Sequence, residues 1–534
     1  MRRLLTVALV LGAAACAADA EPYDVLIRGG SLIDGTGAPA RDADVGLRGG
    51  VIAAVGDLSG AEAATVIDAS GLVVAPGFID VHSHSGPGLA SAELSHAQPL
   101  LAQGLTTVFI NPDGGGPVDI AAQHTALLEH GLGVNAAPFI SHGSVRGAVL
   151  GSEDRAPTAE EMDEMKGLVR AGMEAGAWGL SSGTFYVPGS FSKPDEINEL
   201  AKVVAEYGGA YESHIRDESN YTVGVVAAVD EVIDVARQAG IPAVVTHIKA
   251  LGPPVWGTSD EIIEHIRAAR EVEGLPVWAD QYPYEASATG LDAALLPRWA
   301  QAGGRDALRA RLADPGTLRR IRTEMVENLA RRGGADRIQF RRFTPDPAIE
   351  GRKLSEIATE QGRDPLDVAL DIIRQGSASI VSFNMSEDDV RAFMVQHWTM
   401  TSSDGDLVPM NEGVPHPRSY GAFARKLRRY VVEEGVVELP QAIHSMTGLP
   451  AQVFGMTDRG RIAEGLAADV VVFDLARVND RATYTEPHQL AEGMVHVFVN
   501  GQPAITDGRF TGGLHGKVLQ HPRPGATQEG DAHQ

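Results

Sequence analysis

The 534-residue chain carries 70 acidic against 45 basic side chains, a formal net charge of -25 at pH 7, with 44% hydrophobic and 22% charged residues. That balance is ordinary for a globular protein with a large core and excludes disordered and fibrous classes. An acidic surface also disfavours nucleic acid and anionic membranes as partners, so each local cation needs its own explanation.

Residues 1–20, MRRLLTVALVLGAAACAADA, start basic, run apolar from Leu4 to Ala15 and end on small residues, the layout of a secretory signal. The apolar run is short for a membrane span. Cys16 is the only cysteine, and AAAC is similar to a bacterial lipoprotein processing site. The expectation is export to the periplasm, with either plain cleavage near Ala20 or a lipid anchor at Cys16 as the one link to a membrane. No disulfide can form, and apart from Cys16 any metal site must use nitrogen and oxygen.

Short alternating segments with glycine turns follow over residues 22–75: DVLIRGG, DADVGLRGG, VIAAVG and ATVIDASG read as a small antiparallel β unit. The pattern returns over residues 455–520 in ADVVVFD and MVHVFVNGQPAITDGRF, so the two terminal segments are expected to build one small β-sandwich. The polar stretch from His521 to Gln534 reads as a flexible tail.

Over residues 76–454 the rhythm becomes apolar strand, loop, amphipathic helix. The strand candidates are GFIDVHSH, TTVFINPD, VNAAPFISHG, AWGLSSG, AYESHI, AVVTHIK, VWADQYPY and TMTSSDGD. Such repetition predicts an α/β fold, a closed parallel (β/α)8 TIM-like barrel. A doubly wound open sheet shares the rhythm, but no Gly-rich phosphate turn follows the first strand. The interval from about 286 to 397 is too long for one crossover and predicts an inserted, largely helical subdomain.

Polar residues gather at the predicted strand tips. His82 and His84 are two apart and so project to one side. Asp113 ends the second strand, His214 the fifth, His247 the sixth and Asp404 the eighth, all at the C-terminal ends where barrels place their chemistry. Four imidazoles and two carboxylates suit Zn²⁺ or another divalent ion, in one copy or two. The glycines after Asp113 would let its loop pass close to a metal and substrate; the plainer alternative is that Asp113 caps a turn.

The motifs APGFIDVHSHS, GLTTVFINPDGGG, SHGSVR, GLSSGTFYVPGS, YESHIRDES, THIKALG, DQYPYEAS, TSSDGD, HPRSYG and GRIAEGLAADVVVFD together resemble the N-acyl-D-amino-acid deacylases of the metal-dependent amidohydrolase superfamily, from about residue 22 to 510. The resemblance implies a metal-dependent barrel with a flanking β-sandwich and a small inserted domain, and hydrolysis of N-acyl-D-amino acids to a carboxylate and a free D-amino acid. It matches His82 and His84 to one metal half-site, His214 and His247 to the other, and Asp404 to the aspartate that handles the catalytic proton. Asp113 departs from the pattern. Family members carry a cysteine ligand in a GNCG loop, and this chain has NPDG. Oxygen for sulfur keeps a negative ligand but hardens the site. No lysine stands at the fourth strand tip, GLSSG, to bridge two metals.

An acylated amino acid presents a carboxylate. Lys249, two residues past His247 on the same face, and Arg418 of HPRSYG can clamp it, with the Tyr186 hydroxyl as a donor and Ser287 as a further one. His142 and Arg146 of SHGSVR either line the pocket or hold loops. Two other readings stay open: a cyclic amide hydrolase of the dihydroorotase or hydantoinase kind, and an exported metal-binding protein without turnover. GLSSG lacks the elbow of a nucleophilic serine. Oligomeric state is not legible.

Overall fold

The computed structural model describes residues 21–522; the leader read at residues 1–20 and most of the expected tail lie outside the described residues. The chain opens with β1 (Tyr23–Arg28), β2 (Ser31–Leu32), β3 (Arg41–Asp42), β4 (Asp44–Arg48), β5 (Val51–Gly56), β6 (Ala63–Asp68) and β7 (Val73–Pro76). β5, β4, β1 and β6 form one sheet in that order. It differs from an all-antiparallel unit, because β6 pairs with β1 in parallel, Val25 opposite Thr65. The β4–β5 hairpin occupies one edge of β1, and the chain returns along the other edge in the same direction.

Next come β8 (Phe78–Asp80), β9 (Leu105–Ile110), β10 (Asn135–Pro138), β11 (Ile140–Ser141), β12 (Gly179–Gly183), β13 (Ala210–His214), β14 (Ala243–Val245) and β15 (Val277–Gln281). β8, β9 and β10 pair in parallel. Phe139 alone separates β10 from β11, and its N–H donates to the carbonyl of Ile110 at 3.1 Å. Every residue of β9 and β13 is buried, as expected of parallel strands covered on both faces. Helices connect them; the one at Ala159–Glu174 begins with a capping box, in which Thr158 Oγ1 accepts from the Glu161 N–H and the Glu161 carboxylate accepts from the Thr158 N–H.

The long segment after β15 holds helices at Gly304–Ala313, Pro315–Arg331, Leu354–Gln361 and Pro365–Arg374. It also holds strands that the helical reading missed: β16 (Ser287–Gly290), β17 (Ile338–Arg342) and β18 (Ser379–Ser382) form an antiparallel sheet in the order β16, β18, β17. Phe340, Ile380, Leu295 and Leu370 anchor a separate apolar cluster there. The chain then re-enters the parallel array through β19 (Thr399–Thr401), which pairs with β15. β11, β12, β13, β14, β15 and β19 thus run parallel in one sheet.

Past the strand ends, the last segment meets the first. The Asp404 N–H donates to the His82 carbonyl at 2.9 Å, and His84 forms a parallel bridge with Asp406. Ile79, Phe109, Ala137, Ala210, Val244 and Met400, each from a different strand, share one buried cluster with Leu449 and Phe454. The C-terminal strands β20 (Val470–Phe473), β21 (Met494–Val499), β22 (Gln502–Thr506) and β23 (Arg509–Phe510) join the second terminal sheet, in the order β23, β22, β21, β20, β7, β2, β3. His521 of the expected tail is fixed: its N–H donates to Gly176 O at 3.0 Å and its ring packs on Trp178.

Candidate metal centre

The C-terminal end of β13, which carries His214, and the loops that leave β8, β9, β14 and β19 deliver His82, His84, Asp113, His214, His247 and Asp404 to one place. Asp113 is the centre of the group. Its Oδ1 lies 3.3 Å from His82 Nε2, 3.5 Å from His214 Nδ1 and 3.4 Å from His247 Nε2, and its Oδ2 lies 3.5 Å from His84 Nε2. Asp404 Oδ1 is 3.2 Å from His84 Nε2 and 3.8 Å from His82 Nε2. Two ligand atoms at ~2.1 Å from a tetrahedral ion stand ~3.3–3.5 Å apart, so these separations are those of donors around shared cations.

The donors fall into two sets sharing Asp113: His82, His84, Asp113 and Asp404, and Asp113, His214 and His247, each with its ligand atoms within 4.8 Å of one another. Both ring nitrogens of His82 and of His214 are buried without a hydrogen-bond partner. Buried imidazoles seldom go unpaired, and two sets of nitrogen and oxygen donors with such orphaned atoms fit a pair of zinc-class divalent ions.

The backbone is bent to make this possible. Asp113, His247 and Asp404 all have positive φ, at 57°, 36° and 48°. Non-glycine residues rarely adopt that region, and such strain concentrates where a site over-determines it. The bare backbone beside Asp113 also has a steric cause: a Cβ on Gly183 would meet the Asp113 carbonyl oxygen at 2.2 Å, and one on Gly114 the Gly183 nitrogen at 2.8 Å.

Burial alone would raise the Asp113 pKa, but the imidazoles of His82 and His214 outweigh it and hold the carboxyl well below the usual range. Behind the imidazoles stand carboxylates that no spacing rule singled out. Glu218, four residues past His214, pairs with Lys249 and lies 3.2 Å from His247 Nδ1 and 3.6 Å from His214 Nε2. Glu212 lies 3.5 Å from His82 Nδ1, and burial pushes its carboxyl up to about 7.

A cavity of about 510 Å³ opens over the group, lined by His84, Asp113, His214, Asp404 and the expected substrate residues Tyr186, Lys249, Ser287 and Arg418. Arg418 is held by Asp404 and stacks over Tyr282 at 4.6 Å. Tyr186 contacts Thr289 Oγ1 at 3.2 Å, its ring 4.6 Å from that of His214, and Ser287 Oγ lies 3.0 Å from the Asn384 amide. His142 and Arg146 do not line the cavity. Both bind Glu196, on the helix Pro194–Ala205, and so hold loops. The cavity also brings in Arg332, Arg341 and Asp406, which the sequence reading left out.

Residues 65–505 match the amidohydrolase family, and the chain belongs to it, in the branch of the N-acyl-D-amino-acid deacylases. It is 36% identical over 526 residues to the D-aminoacylase of Alcaligenes xylosoxydans xylosoxydans, covering 94% of this chain and 98% of that one. The N-acyl-D-glutamate deacylase of the same organism is 37% identical over 503 residues, 90% of this chain and 93% of that one. Among solved structures, the N-acyl-D-glutamate deacylase of Bordetella bronchiseptica, complexed with zinc and a phosphonate mimic of the tetrahedral intermediate, matches with a TM-score of 0.79 and 36% identity, over 94% of this chain and 100% of that one.

Proposed function

We propose that this protein is a zinc-dependent deacylase that hydrolyses the linear amide of N-acyl-D-amino acids, releasing a carboxylate and a free D-amino acid. The observation that carries the reading is the Asp113 carboxylate standing 3.3–3.5 Å from four imidazoles, with Asp404 beside it at the floor of a cavity. The D configuration follows the relatives. The architecture we propose is a closed (β/α)8 barrel with the site at its C-terminal face. The cluster fed by six strands, and the contacts of Asp404 and Asp406 with His82 and His84, support closure. Export through residues 1–20 is proposed from the sequence alone.

His82, His84, Asp113 and Asp404 would hold one ion, and Asp113, His214 and His247 the other. Bound there, zinc supplies Lewis-acid polarisation of the acyl carbonyl and a nucleophilic water near neutral pH. Asp404 accepts the proton of the attacking water and returns it to the leaving nitrogen. Lys249 and Arg418 hold the amino acid's carboxylate, so the amide is fixed over the donors rather than merely concentrated there. Tyr186 donates from the cavity wall; its burial pushes the phenol pKa up, which keeps it a donor. Ser287 adds a second hydroxyl.

The test is elemental analysis of the purified protein together with rates on N-acetyl-D-amino acids, their L forms and a cyclic ureide. Zinc with turnover of the D forms is expected. Preference for the ureide would move the assignment to cyclic amide hydrolysis. Bound metal with no amide hydrolysis would make the protein a metal-binding one only.

A further inference from the structure

Four lysine or arginine side chains line the cavity: Lys249, Arg332, Arg341 and Arg418. Three have a carboxylate each. Lys249 pairs with Glu218, Arg341 with Asp406 and Arg418 with Asp404. The remaining lining acid, Asp113, belongs to the imidazoles. Arg332 is left over: no carboxylate among the described residues comes within ion-pair distance of it, although it is only 1% exposed.

Its hydrogen bonds are neutral and incomplete. Nη1 donates to Ser382 Oγ at 3.0 Å and, with the Asn384 amide turned, faces that oxygen at 3.3 Å, while Nε is buried with no acceptor. The shortage of acceptors is shared. Arg298 Nη2 and the Tyr221 hydroxyl are likewise buried and unpaired, and both guanidiniums stand 6.0 Å from the Tyr221 ring. Desolvating a guanidinium without a counter-charge is costly, and unpaired buried donors are rare. The place is also within reach of the reacting centre. Phe185, which lines the cavity, has Arg298 on its face at 3.8 Å and the His214 ring at 5.3 Å. Ser382, the anchor of Arg332, pairs with Ser287 across β16 and β18, so this guanidinium is fixed to the strand pair that forms the cavity wall.

We propose that Arg332 forms a second anion subsite, and that the preferred substrates are N-acyl amino acids carrying a second carboxylate besides the one held by Lys249 and Arg418. This rests on the deacylase reading. The second carboxylate has two sources of the same chemistry, an acidic side chain or a dicarboxylic acyl group. Either one places acceptors opposite the fork of Arg332 and supplies the charge that the protein withholds from it.

With zinc-loaded protein, kcat/KM is measured for N-acetyl-D-glutamate, N-succinyl-D-leucine and N-acetyl-D-leucine. One dicarboxylate is expected to exceed N-acetyl-D-leucine by about tenfold or more; the first in front places the charge on the side chain, the second on the acyl group. In Arg332→Gln that ratio falls by about tenfold or more, and in Arg332→Lys, which keeps the charge without the fork and serves if the first variant does not fold, by less. N-acetyl-D-leucine turned over as well as both dicarboxylates, or a ratio unmoved by both substitutions, overturns the proposal. Absence of turnover on every N-acyl amino acid sinks the deacylase reading instead. The subsite is then decided by calorimetry, where N-acetyl-D-glutamate must bind more tightly than N-acetyl-D-glutamine and lose that margin in the Arg332 variants; equal binding overturns it.

Discussion

Arg418 Nη1 lies 2.7 Å from Asp404 Oδ2, so the side chain that would hold the substrate also touches the one that would move the proton. Burial by itself raises the Asp404 pKa, and Arg418, with help from His84, more than reverses this, leaving the carboxyl well below its ordinary range. A carboxylate held that low is a weak base. A substrate carboxylate that shares the guanidinium relaxes the hold, so removing it should lower kcat and not merely raise KM. Comparing N-acetyl-D-leucine with its carboxamide checks this. A carboxamide with unchanged kcat refutes the coupling.

Asp404→Asn keeps the shape of the side chain and removes the proton acceptor. Turnover should fall by about 10²- to 10⁴-fold, the range for a general base. Zinc at the Asp113, His214 and His247 set should remain. Atomic absorption beside steady-state kinetics separates the outcomes, and a variant with full turnover would remove Asp404 from the mechanism.

Among the described residues, Asp113 is the only carboxylate within reach of all four imidazoles. Asp113→Ala should therefore empty both donor sets, while Asp113→Cys should restore a negative ligand and shift preference toward softer ions. Both substitutions place a less tolerant side chain at φ 57°, a strain of about 1–2 kcal/mol that lowers Tm without explaining metal loss. Metal-to-protein ratios after dialysis, with cadmium competed against zinc, measure this; an Ala variant that keeps both ions contradicts it.

Lys426 offers a pH test away from the metals. It is buried, its Nζ donating to Thr401 Oγ1 at 2.8 Å and Ser445 Oγ at 2.9 Å, and burial pushes its pKa down from 10.5 to about 7. Between those values the unfolded chain binds a proton that the folded one does not, so this group adds stability as pH rises. Below about 7 both states are protonated and its penalty is complete. The urea-midpoint advantage of Lys426→Met over the parent should thus shrink between pH 6.5 and 9. A constant difference would mean that Lys426 titrates normally.

Much of this donor cluster could be read in the sequence because its imidazoles and carboxylates end apolar runs. A run such as TTVFINPD marks a strand covered on both faces, and its first charged residue marks the mouth. Glu218 and Arg332 carry no such mark. The first follows His214 by four residues in a loop, and the second is brought in from the far end of a helix in the long insertion. The insertion's β16 to β18 sheet was hidden for the same reason: periodicity reports which face a residue takes, not which partner it finds. His142 and Arg146, beside a strand tip, left two readings open, lining the pocket or holding loops, and periodicity could not show that their partner is Glu196.

Strand β7 pairs with nearby β2 along one edge, Ser31 opposite Val73, but along its other edge it takes its partners from β20, Val74 opposite Val472, some four hundred residues later in the polypeptide. A ribosome therefore releases Val73 long before the β20 ladder exists, and that edge of β7 must wait, unpaired, until Val470–Phe473 has been synthesised. Shortening the protein from the C-terminal side would leave that waiting edge permanently open, a ready template for strands of other molecules. Truncation should yield aggregates rather than a smaller enzyme.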